Sequence, residues 1–368
     1  MTYVELPRRV VDYGKAGPRR VPLSGREAVR LAALAVTALS LVGCASATGR
    51  STAPNAAMLT RWTPASRIPR VLDLSGPRPD GSVVVETAGR LALLAPSGAL
   101  RSFAKASGGY LSPGGEEPYI AMSAGARVAG AGCTFGRDTI YALRLRTVNG
   151  VTAIDAAGRA RHFATLPATS RENGIAFDET GRFGHRLLVT ATAGSNTTVY
   201  AIDCRGGVTT VTRSAPKVEG GIAVAPATFG RFAGDLIAPD ETSGRIFAIA
   251  PDGSSRLVGD SGLPHGQDIG VESLGFVPAR FGAGWSALVA DRLTPGNRHP
   301  GDGVVLRLGA ASLLGAGVRP GDLLVTSEGA AATDAIACGP TCQVRHVADG
   351  PAIAHVEGHI VFGARIHG

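Results

Sequence analysis

The sequence is poor in aromatic residues, in lysine and, beyond residue 43, in long apolar runs. Phe, Trp and Tyr make up 5% of the 368 residues. They are not interleaved with runs of basic residues, so the net charge of +8 does not read as a nucleic-acid surface. Half of that charge sits in residues 1–43. Lysine occurs only at 15, 105 and 217, and arginine supplies the rest, a bias that reads as base composition rather than chemistry. No G-x-S-x-G is present, which excludes the usual serine-hydrolase elbow. Gly130-Ala-Gly132 has no helical pattern after it and is not a nucleotide loop. Nor does any helical period longer than two turns follow residue 44, and this leaves β-structure.

What is present is a repeat. Residues Glu172 to Thr212 contain four short apolar runs, Gly174–Phe177, Leu187–Thr190, Val199–Ile202 and Val208–Val211, parted by Gly181, Gly194 and Gly206-Gly207. Runs of strand length, rich in β-branched residues and separated by permissive turns, predict four antiparallel strands. Related copies begin at Glu117, Glu219 and Glu272. Phe-Gly pairs recur at 135, 183, 229 and 281, a period of 46 to 52 residues, near the length of one four-stranded propeller blade. Residues 70–104 give a further copy, and residues 323–347 another. The last runs, Ala352–Val356 and His359–Phe362, are expected to form two strands that close the ring against the N-terminal strands and remove exposed edges. The fold expected is all-β, a six-bladed β-propeller over 70–368, with seven blades as the alternative.

Before it lies an address. Residues 1–30 carry seven positive charges, an apolar run spans Ala28–Val42, and Leu41-Val42-Gly43-Cys44 follows. The run is too short to span a bilayer comfortably and fits the apolar region of a signal peptide. Its end resembles a bacterial lipobox, which implies lipidation at Cys44. The expectation is a signal peptide over 1–43, a flexible tether over 44–69, and a monomer anchored by lipid on the extracytoplasmic side of the cell membrane. With Cys44 lipidated, four cysteines remain, and an even number in an exported chain suggests two disulfides. Cys338 and Cys342, turned toward each other by Gly339-Pro340, are the easiest pair. Cys133 with Cys204 would join neighbouring blades.

In a propeller the residues just before each innermost strand project into the mouth of the central channel. Glu117, Glu172, Glu219 and Glu272 take that place, with Asn173 beside them. His265 lies in the loop before Glu272 and is expected to line the same channel. Carboxylates converging on one axis repel unless a cation sits among them, and oxygen ligands point to calcium or another hard divalent ion. The bland alternative is a solvated rim balanced by Arg171. His355-Val-Glu-Gly-His359 lacks the order of the helical zinc motif, and Gly358 makes it read as a hairpin.

Glu116-Glu117-Pro118, Glu172-Asn173-Gly174-Ile175-Ala176-Phe177 and Glu219-Gly220-Gly221-Ile222-Ala223 resemble the senescence-marker-protein/gluconolactonase group. The turn Ala238-Pro-Asp-Glu-Thr-Ser-Gly-Arg resembles NHL-type propeller repeats. The first resemblance implies a divalent metal held by Glu117, Asn173 and Glu219, with Glu219 as catalytic base. Glu219 departs from that group's Asp, which moves the carboxylate by a methylene. Two functions follow. One is a propeller that binds a small-molecule or cell-envelope ligand at its channel, with a divalent cation. The other is a metal-dependent lactone or ester hydrolase, in which the ion polarises a carbonyl and activates water. The changed base favours binding.

Overall fold

Among the described residues, alternating apolar runs and turn residues generate 27 strands and one short α-helix. The computed structural model describes residues 60–366, apart from 116, 147, 168–170, 267 and 268. The chain divides into a unit of residues 1–53 and a unit of residues 54–368, and every described residue belongs to the second. The expected signal peptide, Cys44, residues 44–59 of the expected tether, and Glu116 lie outside the described residues. No helix among the described residues is long and apolar enough to cross a membrane.

Two strands, β1 (Thr60–Arg61) and β2 (Thr63–Arg67), open the described chain. Four antiparallel sheets of four strands follow. The first holds β3 (Asp73–Ser75), β4 (Val83–Glu86), β5 (Leu91–Leu94) and β6 (Leu100–Phe103). The second begins with β7 (Ile120–Met122), carries a side hairpin of β8 (Arg127–Val128) and β9 (Cys133–Thr134), and continues with β10 (Ile140–Arg144), β11 (Gly150–Ile154) and β12 (Ala160–Thr165). The third is β13 (Arg171–Phe177), β14 (Leu187–Ala193), β15 (Asn196–Ile202) and β16 (Val208–Pro216). The fourth is β17 (Ala223–Val224), β18 (Leu236–Asp240), β19 (Arg245–Ile249) and β20 (Ser255–Asp260). Each is the up-and-down meander of a propeller blade.

The remaining strands are β21 (Val271–Phe276), β22 (Trp285–Asp291), β23 (Val304–Gly309), β24 (Leu323–Ser327), β25 (Thr333–Cys338), β26 (Cys342–Asp349) and β27 (Val356–Ala364), with helix α1 (Ala310–Gly315) after β23. They merge with β1 and β2 into one nine-stranded sheet, ordered β1-β26-β25-β24-β21-β27-β22-β23-β2. The arrangement is all-β and propeller-like: four blades and one large sheet.

Three expectations are corrected here. The repeat beginning at Glu272 would continue, in sequence order, through the apolar runs Ala287–Ala290 and Gly303–Leu308. Instead β21 pairs with β24, and the β22–β23 hairpin joins β27. Both Ala287–Asp291 and Leu323–Ser327 are apolar runs of second-strand type, so periodicity alone does not choose between them. The closing runs were expected to be two strands; residues 356–364 form the single strand β27. Gly358 is not a hairpin tip. It sits within β27 at φ +69°, where a Cβ would meet Asp73 Oδ1 at 2.2 Å. The tether does not reach 69, because β1 pairs in parallel with β26 and β2 antiparallel with β23. Trp62 between them is buried, and its indole N–H donates to Thr333 Oγ1 over 2.7 Å. Burial of an indole with its one donor satisfied anchors this segment.

The repeated phenylalanines Phe135, Phe183, Phe229 and Phe281 are all buried. Phe229 packs edge-on against Phe276, and Phe281 against Phe362. The period thus marks a core position. Both expected disulfides are formed, Cys133–Cys204 and Cys338–Cys342. The first joins the second and third sheets, and the second closes the β25–β26 turn.

In or just before the inner strands, Ile120, Ile175, Ile222 and Leu274 are each at most 1% exposed. Asp73 and His359 complete this layer. The Asp73 carboxylate accepts from the backbone N–H groups of Ile120 and His359, both at 2.8 Å, and lies 3.0 Å from His359 Nδ1. His359 Nε2 lies 3.0 Å from the Ile175 carbonyl. Burial works against charging this imidazole, but Asp73 and the backbone carbonyls hold its pKa above the ordinary value. One buried acid thereby ties β3, β7 and β27 together.

Candidate functional site at the channel mouth

On one side of this layer, the residues that precede or begin the inner strands meet the turns that follow the second strands. The inner-strand side gives Glu117, Tyr119, Arg171, Glu219, Glu272, His355 and Glu357. The turns give Glu241 after β18, Arg292 after β22 and Glu328 after β24. The glycines beside them permit close approach. Gly220, at φ +90°, sits where a Cβ would lie 2.1 Å from the Glu272 carbonyl oxygen. The Gly221 N–H donates to that oxygen over 2.8 Å.

Glu357 is the centre of the network and is 1% exposed. Arg292 Nη1 donates to its Oε1 at 2.8 Å, and the Tyr119 hydroxyl donates to its Oε2 at 2.8 Å. His355 Nε2 lies 3.3 Å from Glu357 and 2.8 Å from Glu328. Burial opposes the charge on Glu357, but His355 and Arg292 hold its carboxyl below the usual range. The same Arg292 nitrogen is 3.4 Å from Glu117, and Arg171 approaches Glu117 at 3.9 Å.

Glu117, Glu272, Glu241 and Glu219 are pushed upward. Burial, then repulsion from Glu357, raises Glu117 to about 8 despite Arg292. Burial with Glu357 and Glu117 nearby raises Glu272 well above its ordinary value. Glu241 rises to about 7 by burial and by Glu219 and Glu328. Glu219 is raised by burial, opposed by Arg171 and Lys217. His355 moves the other way from what burial dictates: hydrogen bonds to Glu328 and Glu357 lift it to about 10. Opposite charges that close favour the ionised forms, whereas like charges and burial oppose them.

Two groups place a ligand atom from each member within 4.8 Å of one another: Glu328, His355 and Glu357; and Glu117, Glu272 and Glu357. Of the residues expected from sequence, Glu117 and Glu272 are therefore brought together, with Glu219 within electrostatic reach of the cluster. Asn173 donates from Nδ2 to the Val218 carbonyl at 2.8 Å and to Thr192 Oγ1 at 2.9 Å, and its Oδ1 is buried without a partner. Glu172 stands apart. It is buried, its Oε1 has no hydrogen-bond partner, and burial raises it to about 7. His265 is exposed, its Nδ1 3.0 Å from the carbonyl of Leu263 in its own loop.

Tyr119, Glu241, Arg292, Glu328, His355 and Glu357 were not expected at the site. A signal for five of them exists. Glu241, Arg292 and Glu328 each follow a polar residue that ends a second-strand apolar run: Asp240, Asp291 and Ser327. His355, Glu357 and His359 are spaced by two, the period that puts side chains on one face of a strand. That face is the channel.

No family model matches the chain, and no curated protein matches it. Solved structures do. One is a Bacteroides thetaiotaomicron protein of unknown function, at 10% identity and TM-score 0.43, covering 82% of this chain and 62% of that one. The chain thus spans less than two thirds of that protein's length. A second is a provisionally assigned glucose dehydrogenase of Thermus thermophilus, at 15% identity and TM-score 0.44, covering 78% and 86%. A third is a provisionally assigned gluconolactonase, at 12% identity and TM-score 0.33, covering 70% and 96%. The propeller-like arrangement is defined by the strand pairing itself.

Proposed function

We propose that the chain is a lipid-anchored, extracytoplasmic, six-bladed propeller that binds a small-molecule or cell-envelope ligand at its channel mouth through a divalent cation. The count of six is supported by the nine-stranded sheet. Its inner strands β21 and β27 meet only at Leu274 and His359. Parting them there leaves two antiparallel quartets, β21-β24-β25-β26 and β27-β22-β23-β2, with the two-residue β1 added in parallel at the outer edge of the first. The anchor rests on the Cys44 motif alone.

The observation that carries the binding reading is the charge balance at the mouth. Glu117, Glu219, Glu241, Glu272, Glu328 and Glu357 face Arg171, Lys217, Arg292 and His355. Carboxyls outnumber cations, and the raised pKa values of Glu117, Glu219, Glu241 and Glu272 express that surplus. A bound cation would relieve it.

The ligand set implied by resemblance, Glu117, Asn173 and Glu219, fits an ion poorly. Glu219 belongs to neither group of converging ligand atoms, and the Asn173 amide is already bonded to Val218 and Thr192. Glu328, His355 and Glu357 fit better, as three buried groups with converging ligand atoms, and an ion there would take the place of the His355 proton and of the Arg292 contact to Glu357. Their mixed nitrogen and oxygen donors suit manganese or zinc more than calcium. A lactone or ester hydrolase with Glu219 as base would need its ion shared between Glu117 and Glu219, and Glu219 is in neither converging group, which weighs against that alternative. The test is thermal denaturation of the purified chain during titration with calcium, magnesium, manganese and zinc. The melting temperature should rise with the logarithm of ion concentration above the dissociation constant. Glu328→Gln together with Glu357→Gln should abolish the rise. No rise with any of the four ions would refute the reading.

A further inference from the structure

The other end of the channel holds a cavity of about 690 Å³. Every inner strand contributes to the wall, with residues including Met122, Phe177, Phe276 and Phe362, and Trp285 joins them. The floor is the buried layer of Ile120, Ile175, Leu274 and His359, so the carboxylate network lies on the far side of that layer. The volume falls within the range of small-molecule sites, as does the pattern of an apolar wall with a few polar groups.

The polar groups are specific. Arg78 lines the cavity, and its Nη1 is buried without a hydrogen-bond partner. Its guanidinium stacks over Phe103, 5.3 Å from the ring centroid, which fixes the side chain but leaves that nitrogen unsatisfied. A buried donor left unmade is costly. Arg137 is exposed at the rim, and among the described residues no ion pair is formed by Arg78 or Arg137. The opposing charges are Asp138 and Glu179, and Glu179 is exposed at the rim. Among the described residues, the one wall side chain with an unsatisfied buried polar atom is thus a cationic donor.

We infer that this cavity is a second ligand site, taking an apolar molecule with one anionic group, its chain against the aromatic wall and its acid on Arg78. The site is independent of the channel mouth, and its failure would leave the mouth untouched. Trp285 provides the readout. The only other tryptophan, Trp62, is buried and bonded to Thr333, so an emission change on filling the cavity belongs to Trp285.

The experiment titrates the purified chain with dodecanoate and with uncharged dodecanol, followed by tryptophan fluorescence and by calorimetry. Dodecanoate should give a saturable change and bind at least tenfold more tightly than dodecanol. Arg78→Gln should reduce dodecanoate to the affinity of dodecanol and leave dodecanol unchanged. Ala176→Phe, which fills the cavity from β13, should abolish both. Trp285→Phe should remove the optical signal while the heat remains. Equal affinity for the two probes, no loss in Arg78→Gln, or no saturable change would overturn the inference. A change that instead grows with protein concentration without probe would assign the cavity to a second copy of the chain, and that also overturns it. Should Ala176→Phe fail to fold, the two probes against Arg78→Gln still decide.

Discussion

Replacing Arg292 by Met removes the guanidinium from the mouth while keeping most of the side-chain volume. In the native protein that group serves two carboxylates, Glu357 at 2.8 Å and Glu117 at 3.4 Å. At an effective dielectric of about 20, a unit-charge pair at the shorter distance attracts by roughly 6 kcal/mol. Desolvation of both partners offsets much of this, and breaking a buried pair is costly chiefly because one charge is left behind, by about 3–5 kcal/mol. His355 and Tyr119 still hold Glu357, so the low end, about 3 kcal/mol, is expected at pH 8. A domain of about 300 residues then loses about 5 °C in melting temperature. At pH 5 Glu117, raised to about 8 by burial and by Glu357, already carries a proton, whereas Glu357 is held below the usual range. The guanidinium then has less charge to neutralise, and the loss should be smaller than at pH 8. Differential scanning calorimetry of wild type and Arg292→Met at both pH values, without added cations, reads the two differences. A loss that is equal at pH 5 and pH 8, or below 1 °C at pH 8, would refute the network as described.

Other outcomes follow from the same structure. Glu172 and Glu241 lie near 7 and Glu117 near 8. Raised above their unfolded values, they contribute stability that is complete below about pH 4.5 and lost as pH rises through 7 to 8. His355, lifted to about 10, contributes stability complete below about pH 6.5 and lost toward pH 10. The melting temperature of the cation-free protein should therefore fall from pH 5 to pH 10, and a rise over pH 5–8 in scanning fluorimetry would contradict these assignments. Asp73→Asn puts an amide among donors from β7 and β27. It should cost about 3 kcal/mol in urea denaturation, and a neutral result would show that the buried layer is not held by this acid. Cys133 and Cys204 are 71 residues apart in sequence and Cys338 and Cys342 only 4 apart. In the chain-entropy model, Ser at both positions of the first pair should cost about 4 kcal/mol, and at both of the second about 2 kcal/mol. Unfolding of the two double variants reads both, and a larger loss from the second pair would contradict the model.

Much of this fold was legible in residue order. The β-architecture, the Phe-Gly period and both cysteine pairs follow from patterns that local physics enforces: alternation, turn glycines and a recurring core position. The pairing of β21 was not legible. It depends on which of two similar apolar runs, 287–291 or 323–327, meets it in space, and both satisfy the pattern. The same limit explains the site. Glu117 and Glu272 could be placed because they precede inner strands in visible repeats. Glu357 was hidden because Gly358 suggested a turn, whereas the chain uses that glycine to let β27 pass against Asp73. Arg292 and Glu328 sit in turns after second strands, a place the repeats also mark. Carboxylate repulsion pointed to a cation at the axis. It could not show that the chain supplies several of its own.

The most direct test of the central claim is anomalous diffraction from crystals of the chain soaked in manganese. A single peak bounded by Glu328, His355 and Glu357, absent in the Glu328→Gln/Glu357→Gln variant, is the expected result. An empty mouth at saturating manganese, or a peak only at surface carboxylates with the Arg292–Glu357 pair undisturbed, would contradict it.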